Sequence, residues 1–96
     1  MDKQPCVYIL ASAVRGTLYV GVTSDLVKRI WQHKNDLLES FTGKHRVHIL
    51  VWYELHATME SAILRGKAIE EWKRIWEIEL IESNNPDWRD LYSGLL

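Results

Sequence analysis

The order and spacing of apolar runs predict an α/β (α+β) fold. It is a small three-stranded, largely antiparallel sheet flanked by helices, in the order ββαβα with a short C-terminal helical segment. Three observations carry this. Two runs rich in strand formers, Cys6–Ala11 and Thr17–Val22, are joined by a short link containing Gly16. A third such run spans Val47–Leu55. Helical periodicity follows the second run and again the third. A chain of 96 residues suits one domain, 1–96, with little room for a second core.

Each element has a local reason. The two opening runs read as a β-hairpin. Thr23, Ser24 and Asp25 then offer N-caps before Leu26, Ile30, His33 and Leu37, an amphipathic stripe that predicts a helix ending near Glu39. A polar loop, 40–46, contains Gly43. In the third strand Val47, Ile49, Val51 and Tyr53 alternate with His48, Leu50 and Trp52. With both faces largely apolar, the strand reads as central and covered on both sides. Thr58 and Ser61 suit the cap of a long helix reaching about Glu82, with Met59, Ala62, Ile69, Trp72, Trp76 and Leu80 as its buried stripe. Asn84-Asn85-Pro86 ends it, and Trp88, Leu91 and Tyr92 are expected to dock a C-terminal segment.

Composition narrows the function classes. No apolar run reaches the ~18–20 residues that cross a bilayer. Met1 leads straight into strand-like sequence without a basic segment and cleavage site, so no membrane association and a cytoplasmic location are expected. Cys6 is the single cysteine, which rules out an internal disulfide and a cysteine metal cluster. The net charge is −1, yet it is unevenly spread. Residues 1–50 carry seven Lys and Arg against four Asp and Glu, and residues 51–96 carry five against nine. A basic half can bind a polyanion despite a neutral total, although an uneven solvated surface gives the same count.

The candidate chemistry lies in the basic half. If the hairpin link has an even number of residues, Tyr8 and Tyr19 project from one face, diagonal to each other. Two adjacent phenols can hold a phosphate and an attacking water. A phenol whose pKa of ~10 is lowered by a nearby cation can act as a general base. Strand tyrosines more often simply pack. Arg29 and His33 lie four apart on the first helix, so their tips can point the same way. A guanidinium there can grip a phosphate in bidentate fashion and stabilise a pentavalent transition state, and His33 can shuttle a proton. Read singly, they are a surface arginine and a packed histidine.

Together these residues resemble the GIY-YIG nuclease family, in its short stand-alone branch. Cys6-Val7-Tyr8 stands at the first triplet and Tyr19-Val20-Gly21 at the second, with ten residues between the tyrosines. Arg29 and His33 match the helix arginine and the histidine of some members. Phe41–Lys44, Val51–Glu54 and Asn85–Trp88 extend the likeness over nearly the whole chain, while Cys6 replaces a glycine. The resemblance implies a DNA endonuclease that hydrolyses phosphodiesters with Mg²⁺ (or Mn²⁺), acting in repair or recombination. In that reading Tyr19 activates water, Tyr8 orients water and phosphate, Arg29 stabilises the transition state and His33 accepts or relays the proton.

The family's metal-binding glutamate falls at Gly66, which cannot ligate anything. A mid-helix glycine costs ~1 kcal/mol relative to alanine. Its spacing from Ala62 and Ile69 puts it on the face approaching the sheet, where a carboxylate is expected to reach the tyrosines. Glu70, one turn on, is a poor substitute because it is displaced ~6 Å along the axis. Metal binding is therefore expected to be weakened or absent, and no metal ligand is assigned in this chain. A chain disabled by substitution, a binding-only member and an enzyme with rearranged ligands all remain open. Lys44 and Arg46, with His45, can track a nucleic-acid backbone, and Asn85 resembles a family asparagine near the site. An exposed tryptophan can stack on an unpaired base, favouring single-stranded or branched DNA. A non-catalytic nucleic-acid-binding module and a protein-interaction domain are the alternative readings.

Overall fold

All six residues of Cys6–Ala11 are buried, and the computed structural model makes this strand, β1, the centre of the sheet. The structure describes residues 3–35, 37 and 46–96. β2 (Leu18–Thr23) and β3 (Ile49–Leu55) pair antiparallel with either side of β1, in the order β2–β1–β3. The third strand is thus not central, as its apolar faces suggest, but lateral with both faces covered. Its outer edge is closed by the tail of the chain. The Leu91 amide donates to the Leu50 carbonyl at 2.8 Å, and the Leu50 amide donates to Asp90 Oδ1 at 3.3 Å. Covering an edge in this way occupies backbone groups that would otherwise be unpaired.

Strand alternation divides the core into two layers. Val7, Ile9 and Ala11 face one side, and Cys6, Tyr8 and Leu10 face the other. β3 breaks the expected alternation. Ile9 pairs with Trp52 and Leu10 with Leu50, so Val51 is an extra residue, a β-bulge. The bulge sends Val51 and Trp52 into the Val7 layer while Leu50 and Tyr53 join the Tyr8 layer. Strict alternation from Val47 to Tyr53 therefore fails at the bulge, and also before the strand begins, where Val47 and Ile49 fall in opposite layers.

Helix α1 (Leu26–Lys34) covers the Tyr8 layer, and Asp25 caps it by accepting from the Lys28 amide at 3.3 Å. Its helical backbone stops at Lys34 rather than near Glu39, and Leu37, expected in the stripe, is exposed. Glu39 itself lies outside the described residues. On the opposite face, the expected long helix is two: α2 (Met59–Glu70), capped by Thr58, and α3 (Arg74–Asn84). Glu71-Trp72-Lys73 contains no breaker, but Trp72 N–H bonds back to Ile69 and Lys73 is extended. Continuing the Ala62–Gly66–Ile69 stripe would bury positions 73, 76 and 80. The break re-phases the chain so that Ile78 and Ile81 are buried, while Trp76 and Met59 are exposed. A 3-10 turn (Tyr92–Leu95) ends the fold, with Trp88 buried in the α2–α3 layer and Leu91 and Tyr92 against the other. Among the described residues, no helix is long and apolar enough to cross a membrane.

The bulge needs a partner, and Asn85 supplies it. Its Nδ2 donates to the Val51 carbonyl at 3.1 Å and to the Arg89 carbonyl at 2.9 Å, and its Oδ1 accepts from the Arg89 amide at 3.0 Å. Asn85→Ala strands the buried Val51 carbonyl and is expected to cost about 2–3 kcal/mol. In urea this appears as a lower midpoint with an unchanged slope. A change below about 0.5 kcal/mol would show that the amide does not hold the tail.

Candidate active site

The hairpin register sets Tyr8 opposite Gly21 and Tyr19 opposite Leu10. The two tyrosines therefore share a face on the diagonal, with ring centroids 6.3 Å apart. Tyr8 lies across the backbone of β2. A Cβ built on Gly21 would stand 2.3 Å from Tyr8 Cζ and 2.4 Å from its hydroxyl oxygen, so only glycine permits this approach.

α1 brings the remaining groups. Leu26 and Ile30 anchor it on the sheet, which turns Arg29 and His33, one turn apart, toward the tyrosines. The Tyr8 hydroxyl and His33 Nε2 are 2.9 Å apart. The His33 ring packs edge-on to both tyrosines, at 5.7 Å from Tyr8 and 5.5 Å from Tyr19. The four residues expected to form the site are thus gathered by one hairpin and one helix.

Burial dictates their protonation. Desolvation raises the Tyr8 pKa well above its ordinary value and the Tyr19 phenol adds to the rise, with the Arg29 guanidinium opposing it. For Tyr8, burial outweighs the cation, which suits the orienting role expected of it. Burial also lowers His33 to about 4, helped by Arg29 and His48. Both groups are neutral at pH 7. Arg29 can only donate toward the Tyr8 oxygen, and the direction of the Tyr8–His33 bond follows the His33 tautomer. Tyr8 is fully buried and His33 nearly so, whereas Tyr19 and Arg29 are half-buried. Tyr19 and Arg29 can therefore meet a ligand directly. Tyr8 and His33 lie behind them, hydrogen-bonded to each other.

The other expected residues are dispersed. Lys44 lies outside the described residues. Arg46 is exposed in a left-handed turn with φ of 54°. Asn85 is buried with its amide spent on backbone groups, so it holds the tail rather than facing a ligand. His48, which spacing alone did not single out, is half-buried and close enough to His33 to influence its charge.

Gly66 is buried on the far side of the sheet. A Cβ there would be 2.8 Å from Val22 Cγ2 and 3.9 Å from Val7 Cγ1, both in the layer opposite the tyrosines. A side chain at 66 would therefore start from the layer opposite the tyrosines, beside β2. Glu70 is exposed and acts electrostatically on Glu77 of α3, away from the site. Among the described residues, no three His, Cys, Asp or Glu side chains are grouped to hold a metal ion. Phenols, a buried imidazole and a guanidinium do not match the oxygen-rich ligand set of Mg²⁺ or Mn²⁺. The described residues at this site do not fit that cofactor.

Comparison with known proteins agrees with the motif. A family model described as the GIY-YIG catalytic domain matches residues 4–89. A UPF0213 protein of Staphylococcus saprophyticus is 33% identical over 81 residues, covering 84% of this chain and 96% of that protein. A UPF0213 protein of Bacillus pumilus is 28% identical over 74 residues, covering 77% and 76% respectively. No solved structure matches.

The depressed His33 pKa has a consequence for stability. Between the free value of 6.5 and about 4, the unfolded chain binds a proton that the folded chain refuses. Stability is expected to fall as pH drops through this window, and this contribution levels off below it. Thermal melts from pH 7 to 4.5 should therefore show a shallower fall for His33→Gln than for the unsubstituted chain. Equal slopes would mean that His33 is charged when folded.

Proposed function

The chain belongs to the GIY-YIG family, and from that premise we infer that it is a single-domain DNA-binding protein of endonuclease type whose hydrolytic step is impaired. The convergence of Tyr8, Tyr19 and His33, with Arg29 beside Tyr8, carries this reading. Arg29 grips a phosphodiester by paired hydrogen bonds and offsets charge gathering on phosphorus. Tyr19, the accessible phenol, orients or activates water at that phosphate. Tyr8 keeps both in place, with His33 as acceptor for its proton. The substrate is DNA, single-stranded or branched, met in the cytoplasm during repair or recombination.

A bound Mg²⁺ would supply charge neutralisation to the hydrolytic step. The donors here do not fit it, and Gly66 has a packing reason to be glycine. This observation favours a second reading, a non-catalytic nucleic-acid-binding module that keeps the phosphate grip.

Two measurements separate these readings. Arg29→Ala is expected to weaken binding of a labelled oligonucleotide about tenfold or more, and affinity should fall with salt. Unchanged affinity would defeat the phosphate-site reading. Cleavage of single-stranded, duplex and branched DNA with Mg²⁺ is then compared among the unsubstituted chain, Gly66→Glu and Gly66→Ala. A gain confined to Gly66→Glu supports a missing ligand. A folded Gly66→Glu that cuts none of them leaves the binding module standing.

A further inference from the structure

Two adjoining hollows cross the outer side of α1. One, of about 220 Å³, is polar and is lined by Lys3, Ser24, Lys28, Arg29 and Gln32. The other, of about 450 Å³, is mostly apolar and lies between Val27, Lys28 and Trp31 on α1 and Tyr92 and Leu95 of the C-terminal turn. Lys28 borders both. Asp25 also lines both, but its carboxylate is engaged as the helix cap, and three cations surround the polar hollow.

Trp31 is half exposed although it lies on a helix that buries Leu26, Ile30 and His33. It sits three residues from Lys28, so the two side chains neighbour each other on the helix. Arg29 links this track to Tyr8. A path from Arg29 over Lys28 to Trp31 therefore runs from a cationic polar hollow into an apolar, aromatic one. That sequence of surfaces matches a nucleotide, a phosphate followed by a flat base. Paired bases are stacked inside a duplex and cannot enter such a groove, whereas an unpaired base can.

We propose that the α1 groove binds an unpaired nucleotide adjoining the phosphate held by Arg29, with its phosphate at Lys3 and Lys28 and its base against Trp31 and Leu95. This rests on the phosphate-site reading above and assigns it a substrate class, single-stranded or flapped nucleic acid. Base stacking on Trp31 selects for unpaired strands, and Lys28 contributes without regard to pairing.

Anisotropy of labelled probes tests this with three ligands: a 12-nucleotide oligothymidylate, the same strand with abasic sites throughout, and a blunt duplex. Trp31→Ala is expected to weaken oligothymidylate binding between about 5-fold and about 100-fold while leaving the abasic strand and duplex unchanged. Trp31→Phe should retain most of the affinity, and circular dichroism checks that both variants fold. Lys28→Gln should weaken all three probes. The groove assignment is overturned if Trp31→Ala leaves oligothymidylate binding unaltered while Arg29→Ala still reduces it. If neither substitution alters binding of any probe, the phosphate-site reading fails as well. Self-association that Trp31→Ala abolishes, with DNA affinity unchanged, would assign the groove to a second copy of the chain and refute the proposal.

Discussion

The ring of Tyr8 lying across Gly21 is the contact on which the rest of this structure depends. A phenol can cross a neighbouring strand only where that strand has no side chain, and in β2 glycine occurs only at position 21. A register slip of one residue would put Val20 or Val22 under the ring and turn every apolar side chain of the hairpin to the wrong face. The buried hydroxyl also needs a partner, since leaving one unpaired costs about 1–3 kcal/mol. His33 provides it, and so the rotation of α1 about its axis is tied to the hairpin register. One side chain thereby links β1, β2 and α1.

The same burial divides labour within the cluster. Enclosure keeps Tyr8 a neutral phenol and His33 a neutral imidazole. Their mutual hydrogen bond is shielded from water, which gives it the strength of a low-dielectric contact. Tyr19 and Arg29, only half covered, present the chemistry outward. A rigid interior pair supporting two accessible groups is an arrangement that can hold a phosphate in a fixed orientation.

Much of this was legible in the residues. Strand formers around a short link specified the hairpin, and the even link length put both tyrosines on one face, as the register shows. Thr58 capped α2 as its hydroxyl chemistry suggested. The spacing of Arg29 and His33 anticipated their convergence on Tyr8. What stayed hidden depends on distant partners. The Val51 bulge is stabilised by Asn85, thirty-four residues away, so no local pattern marks it. The break at Glu71–Lys73 carries no glycine or proline, because it is the packing of Ile78 and Ile81 that selects it. The site's back-to-front layering was equally invisible, since spacing gives direction but not depth.

The close approach of α2 to β2 makes positions 66 and 22 a single volume shared by two residues. Gly66 gives up helix propensity, and Val22 crowds the space released, its Cγ2 standing only 2.8 Å from where a Cβ would lie. A χ1-restricted valine yields little room. Exchange of side-chain bulk between the two positions is therefore the cheap direction of change, and enlargement of one alone is the expensive one. In a double-mutant cycle, the substitutions Gly66→Ala and Val22→Ala should be markedly non-additive. In descent, a lineage that acquires glycine at 66 can let residue 22 grow into the gap. Once it has done so, the way back to a larger residue at 66 is narrowed by a neighbour with no part in the chemistry.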